Sequence, residues 1–216
     1  MQNWIDVSIP ISSELPVWPG DPTPQLTWLS QISGGERINL SKIDMSLHSG
    51  THIDAPSHYI EGGLAIDEIP LELLIGEVQV INVPKELKII KDSFLNTLNY
   101  EIPKKIFFKT NNSFMHYLHD KNFLKDYVGI DRSGAKWLVD HKVKVVGIDY
   151  LSVAPYWEAA ETHRILLEAN VIVIEGLDLS RIQEGAYRFI CLPISIKGRE
   201  AAPVRVVVQM RDDQVL

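Results

Sequence analysis

The segment His48-Ser49-Gly50-Thr51-His52-Ile53-Asp54-Ala55-Pro56-Ser57-His58 gathers three of the chain's seven histidines and an aspartate into eleven residues. Positions 48, 52, 54 and 58 share one parity, so an extended segment would project all four side chains to one side. A helix does not suit this stretch. Gly50 and Pro56 both interrupt one, and Pro56 drives Ala55 toward extended geometry. Three imidazoles and a carboxylate on one face combine borderline nitrogen with hard oxygen, which suits Zn(II) and, with more oxygen donors, Mn(II) or Fe(II). A lone loop histidine is ordinarily solvated or hydrogen-bonded. Four such residues so closely spaced read as a divalent metal site in which His48, His52 and Asp54 leave a coordination position open.

A second set lies far along the chain. Glu175 ends the β-branched run Val171-Ile172-Val173-Ile174, and an ion at the end of a buried strand costs several kcal/mol unless partnered. His163, on the helix expected just before that strand, is one partner; Arg164 or Arg181 is the alternative. With His163 and Glu175 in place, Asp54 could bridge to a second ion. His116, His119 and Asp120 have spacing that could bind metal on a helix, but the surrounding Phe114, Met115, Tyr117, Leu118 and Phe123 read as a loop packing down.

The elements that must position these groups follow from local pattern. Trp4 to Ile11 alternates as a strand, with Pro10 marking an edge or an end. Pro16 to Pro24 is too proline-rich for helix or central strand and forms an ordered arm. Within it, Trp18 either covers the core or forms a rigid aromatic wall for a flat substrate. Leu26–Ile32 and Arg37–Leu47 read as strands around a Ser33-Gly34-Gly35 turn, the second running straight into His48. Next come a short helix at Leu71–Leu74, a strand at Glu77–Val83, a helix capped by Asp92 through Leu98, and a strand at Lys105–Thr110. Asp131 caps a helix to about His141, followed by a strand from Val143 to Asp149. A helix from Glu161 to Ala169 leads to the strand Val171–Leu177, and two closing strands, Tyr187–Ile196 and Val204–Met210, flank a Gly198–Pro203 turn. Helix alternating with strand implies some parallel pairing, hence an α/β fold.

Composition narrows the function classes. At 216 residues with 45% apolar side chains, the chain suits one domain, residues 1–216, with residues 1–25 forming an N-terminal strand and proline-rich arm. A net charge of -7 without a basic cluster argues against nucleic acid and anionic membrane partners. The one cysteine, Cys191, lies in an apolar run and reads as a buried structural thiol, which fits a reducing compartment. The first residues lack the pattern of a signal peptide, and no apolar run is long enough to span a bilayer, so a cytoplasmic location is expected.

The motif His48-x-Gly50-Thr51-His52-x-Asp54-x-Pro56-x-His58, with Pro16-Val17-Trp18-Pro19-Gly20-Asp21 upstream and Gly147-Ile148-Asp149 and Pro193 downstream, resembles the metal-dependent cyclase-like hydrolases, which include bacterial kynurenine formamidase and isatin hydrolase. The resemblance implies a compact mixed sheet or barrel of the swivelling β/β/α type with flanking helices, a homodimer, and one or two zinc or manganese ions. It implies hydrolysis of a C–N amide bond, with His48, His52 and Asp54 at a first site and Asp54, His163 and Glu175 at a second. Trp18 would line the substrate pocket. His58, beyond the compact His-x-x-x-His-x-Asp set, would move the proton that the leaving nitrogen needs. An aryl formamide such as N-formylkynurenine, an intermediate of tryptophan breakdown, is the leading substrate, and an isatin-like lactam the second. The Asp149–Pro155 and Ile174–Asp178 segments resemble the broader branch of the family more than a dedicated formamidase, which bears on substrate and not on chemistry. From another class, a non-catalytic metal- or small-molecule-binding module would be marked by a site closed with four protein ligands.

Overall fold

The computed structural model describes residues 4–210. In chain order its strands are β1 (Ile5–Asp6), β2 (Gln25–Ser30), β3 (Leu40–Asp44), β4 (His52–Asp54), β5 (Ile75–Asn82), β6 (Ile89–Ile90), β7 (Lys105–Lys109), β8 (Gly129–Ile130), β9 (Val145–Ile148), β10 (Ile172–Glu175), β11 (Gly185–Pro193) and β12 (Ala201–Met210). The helices are α1 (Leu71–Leu74), α2 (Asp92–Leu95), α3 (Asn111–Phe114), α4 (Arg132–Asp140) and α5 (Ala159–Glu168).

Seven strands close on themselves in the order β12-β11-β5-β7-β9-β10-β4, with β4 pairing back to β12 and β1 lying along the far end of β12. Strands β5, β7, β9 and β10 run parallel, joined by crossovers that contain α2, α4 and α5, while the other pairings of the barrel are antiparallel. This is the α/β fold that the strand and helix order implied, closed into the mixed barrel with flanking helices that the family resemblance implied.

The period of two sorts the parallel strands into two cores. Phe107, Val145, Ile172 and Ile174 point into the barrel with Ile53, Ala202, Val206 and Val208. Their neighbours Ile106, Phe108, Val146 and Val173 point outward and pack under Leu138 of α4 and Leu166 and Leu167 of α5. Strands buried on both faces need such unbroken apolar runs, and each fully buried side chain of this size contributes about 1.5–3 kcal/mol. Cys191 lies inside the barrel, fully buried, and burial pushes its thiol pKa up. This is the inert structural thiol that its apolar flanks implied.

Several boundaries differ from expectation. The strand expected over Trp4–Ile11 is ladder-paired only at Ile5–Asp6, with a further bridge from Ser8 to Leu177. Asp92 is the first helical residue and not the cap; Lys91 holds that position, and the helix stops at Leu95. Asp131 does cap α4, its carboxylate accepting from the Ser133 and Gly134 amides. The largest difference is β2 and β3, which pair only with each other. Both segments are strands, as expected, within narrower bounds, yet Leu26, Trp28, Leu40 and Ile43 are all about half exposed or more.

Candidate active site

Strand β4 closes the barrel and carries the first half of the site. On one edge it pairs with β10, setting His52 opposite Glu175 and Asp54 opposite Val173; on the other it pairs with β12, setting His52 opposite Pro203. Ile53 faces the barrel interior, so His52 and Asp54 share the outward face with Glu175, beneath α5. His48 and His58 arrive differently. His48 sits in the turn before β4, which Gly50 makes with a φ of 69°, and His58 ends a short 3-10 turn over Pro56–His58. The shared parity thus explains His52 and Asp54, while turns deliver the outer two histidines.

The two halves are bolted together by Thr51. Its hydroxyl donates to the Gly176 carbonyl at 2.6 Å and accepts from the Ile9 amide at 2.9 Å, and its carbonyl accepts from the Val204 amide at 3.0 Å. Gly176, at φ 72°, passes so close that a Cβ there would stand 2.5 Å from the Gly50 carbonyl oxygen. Only glycine fits both that backbone conformation and that approach.

His163 of α5 completes the cluster. Its Nε2 is 3.0 Å from Glu175 Oε1 and 3.6 Å from Asp54 Oδ2. His52 Nε2 lies 3.3 Å from Glu175 Oε2 and 3.5 Å from Asp54 Oδ1. His48 Nδ1 is 2.9 Å from Asp54 Oδ1, and His58 Nε2 is 3.9 Å from Asp54 Oδ2. All six residues therefore converge, with Asp54 at the centre. The alternative arginine partners of Glu175 are elsewhere: Arg164 is exposed, and Arg181 donates to the Asp6 carbonyl. The Asp54, His163 and Glu175 set expected from the resemblance lies together, and two further groupings share Asp54. Ligand atoms of His52, Asp54 and Glu175 lie within 4.8 Å of one another, and so do those of His48, Asp54 and His58.

The donor set suits a divalent metal. His52 Nε2 and both Asp54 oxygens are buried and, beyond the close approach of His48 Nδ1 to Asp54 Oδ1, find no hydrogen-bond partner among the described residues. Left alone, such atoms would cost about 1–3 kcal/mol each, and more for a charged group. The tautomers agree with that fit. His52 Nδ1 is 2.9 Å from the Gly50 carbonyl and His163 Nδ1 is 2.7 Å from the Ala159 carbonyl. A carbonyl only accepts, so each Nδ1 carries a proton and each Nε2 is aimed at the carboxylates, the arrangement that orients a ligating imidazole. Glu175 Oε1 is held by the Val153 amide at 2.6 Å.

Electrostatics within the protein alone are strongly coupled. Burial raises the Asp54 pKa, but His48, His52 and His58 outweigh it and hold the carboxyl far below its ordinary range. Burial lowers His48, but Asp54 outweighs that and lifts it to about 9. Burial and Asp54 raise Glu175, and His163 and His52 more than reverse this. Burial leaves His58 below its ordinary value despite Asp54.

A cavity of about 240 Å³ opens over the cluster, with His48, Asp54, His58, His163 and Glu175 in its lining. Trp18 forms part of the wall, packed at 5.2 Å against both Phe123 and Tyr156. Tyr59, Asp21 and Ser152 also line it, and sequence reasoning missed all three. Tyr59 stacks on His163 at 5.2 Å; adjacency to His58 was its only signal. His119 pairs instead with Asp178 at 3.2 Å, and no metal-type cluster forms around His116 and His119 among the described residues.

The "Putative cyclase" family model matches residues 5–155. The chain belongs to this family. Cyclase-like protein 3 of Arabidopsis thaliana is 37% identical over 214 residues, covering 94% of this chain and 78% of the relative. Kynurenine formamidase of Salinibacter ruber is 33% identical over 211 residues, covering 97% and 98%. Among solved structures, a predicted metal-dependent hydrolase from Bacillus stearothermophilus is 33% identical with a TM-score of 0.84, covering 98% of this chain and 100% of that one. Isatin hydrolase A from Labrenzia aggregata is 21% identical with a TM-score of 0.81, covering 96% and 93%, and shares the cyclase fold.

Proposed function

We propose that this cyclase-family chain is a metal-dependent hydrolase of non-peptide C–N amide bonds, acting on an aryl amide. The observation that carries the reading is Asp54. A fully buried carboxylate with four histidine nitrogens 2.9–3.9 Å from its oxygens sits between two sets of imidazole and carboxylate donors, at the base of a cavity with an aromatic wall. His52, Asp54 and Glu175, with His163, would hold one divalent ion, and His48 with Asp54 a further one or the open side of the same one; zinc is the first choice and manganese the second. When bound, such an ion acidifies water from a pKa of about 15.7 toward about 7 and polarises a carbonyl.

The protein's own groups supply the rest. His58, whose pKa burial lowers and whose Nε2 stands 3.9 Å from Asp54 Oδ2 in the cavity lining, accepts a proton at its imidazole and returns it to the departing nitrogen. Trp18 and Tyr59 flank a flat aryl group, which holds the amide over the cluster. Glu175, fixed by the Val153 amide, keeps His163 and His52 oriented. Relatives named kynurenine formamidase, one-third identical along nearly their whole length, favour an aryl formamide such as N-formylkynurenine and thus a place in tryptophan breakdown. The likeness in fold to isatin hydrolase makes a lactam the second substrate to test. The cavity opening over the cluster favours a catalytic reading over a closed binding module.

We also read the chain as a cytoplasmic homodimer. Among the described residues no helix is long and apolar enough to cross a membrane. Strands β2 and β3 form a hairpin that no other strand among the described residues pairs with, and it exposes Trp28, Leu29, Ile38 and Ile43. An isolated hairpin is marginal in water, so a second copy covering this surface would account for it. Sedimentation showing a monomer at micromolar concentration would remove the dimer. The enzymatic reading is tested by turnover of aryl formamides and isatin with protein reconstituted separately with Zn(II) and Mn(II). Hydrolysis of neither class by either form would refute it.

A further inference from the structure

The charge of the cavity wall selects the substrate further. Among the described side chains lining the cavity, Asp54, Glu175 and Asp21 are acidic, the basic ones are His48, His58 and His163 gathered around Asp54, and none is lysine or arginine. Asp54 and Glu175 are engaged with the histidines. Asp21 is not: no described residue gives its carboxylate a hydrogen bond or an ion pair. Its placement is nevertheless built into the backbone. Trp18-Pro19-Gly20-Asp21 is a turn closed by the Asp21 amide donating to the Trp18 carbonyl at 2.9 Å, with Gly20 at φ 103°. Proline at the second position and a positive-φ glycine at the third are what a type II turn requires. The turn thus sets Trp18 and Asp21 in the cavity lining together. Two cations stand nearby without lining it: Lys125, 4.7 Å over the Tyr156 ring, and Arg164, an exposed neighbour of Tyr59.

Resting on the hydrolase reading above, we propose that Asp21 is a specificity-determining residue and that the substrate is an aryl amide whose far substituent is a hydrogen-bond donor or a cation. A substituent carboxylate placed against Trp18 would meet the Asp21 charge with no lysine or arginine on the wall to offset it. It would also approach a protein of net charge -7. A substituent ammonium would gain the partner that Asp21 lacks.

The test uses three formanilides of near-equal size, para-substituted with aminomethyl, hydroxymethyl or carboxymethyl groups, and the metal-reconstituted enzyme. In the wild type, kcat/KM should fall in that order, with about tenfold between the charged extremes, equivalent to about 1.4 kcal/mol and carried mostly by KM. Asp21→Asn keeps the backbone amide of the turn and should collapse the spread, while Asp21→Lys should reverse it. About 1 M salt, where the screening length is about 3 Å, should shrink the wild-type spread. Equal kcat/KM for the aminomethyl and carboxymethyl compounds, or a spread unchanged in Asp21→Asn, would overturn the proposal. If no formanilide is hydrolysed with either metal, the hydrolase reading fails separately. The charge preference is then read by calorimetric binding of the three corresponding anilines, where the same ranking supports the proposal and equal affinity overturns it.

Discussion

Thr51→Val tests whether the two halves of the site are held in register as described. The substitution keeps the β-branched shape and removes one oxygen. The Gly176 carbonyl then loses its donor at 2.6 Å and the Ile9 amide its acceptor at 2.9 Å, both in buried surroundings. A buried group left unpaired costs about 1–3 kcal/mol, so the pair should cost about 3 kcal/mol, in the lower half of a combined range of about 2–6 kcal/mol. For a domain of this size, 1 kcal/mol moves Tm by about 2–4 °C, which places the expected fall at about 6–12 °C. The second consequence is local. Thr51 lies between His48 and His52 and bonds to the residue after Glu175, so ligand spacing should loosen and metal affinity drop by about 10–100-fold. Calorimetry gives the first number and a competitive chelator titration the second. Thr51→Ser restores the oxygen and should recover most of both. A Thr51→Val protein with Tm within about 2 °C of wild type and unaltered metal affinity would refute the reasoning.

Replacing His58 with alanine should leave metal content near that of the wild type while kcat falls about 10²–10⁴-fold; loss of the metal would instead make His58 a ligand. Glu200→Gln should weaken metal binding about tenfold or more, since its carboxylate stands 3.7 Å from His48 Nε2 and steers that ring toward Asp54, as a chelator titration would show. In chelator-stripped protein His48, lifted to about 9 against an ordinary 6.5, contributes stability that is complete below pH 6.5 and fades as pH rises through about 9. Thermal melts of the stripped protein should therefore show Tm declining across that window, and a Tm that rises there would contradict the charge assignment. Cys191, buried in the barrel with a raised thiol pKa, should resist thiol reagents in the native protein and react on denaturation.

Much of the site was legible because its chemistry depends on residue type more than on long-range geometry. An acid ending the run Val171–Ile174 needs a partner wherever the strand lies, and His163 was near enough in sequence to supply it. Alternation assigned His52 and Asp54 to one face, as the ladder with β10 places them. It could not assign His48 and His58, whose positions depend on the turns at Gly50 and Pro56. The Val153 amide that fixes Glu175 was invisible, because a backbone donor carries no residue signal. Asp21 and Tyr59 are ordinary residue types that tertiary structure alone brings to the cavity. The hairpin misled for the opposite reason. Its alternation is genuine, but what should cover Trp28, Leu40 and Ile43 is not another part of the described chain.

The central claim is that amide hydrolysis depends on a cation gathered around Asp54. Formanilide hydrolysis followed while zinc or manganese is titrated back into chelator-stripped protein tests it most directly. The rate should start near zero, climb in step with bound metal, and level off at one or two ions per chain. A stripped protein that hydrolyses as fast as the reloaded one, or an amide rate that ignores bound metal, would contradict it.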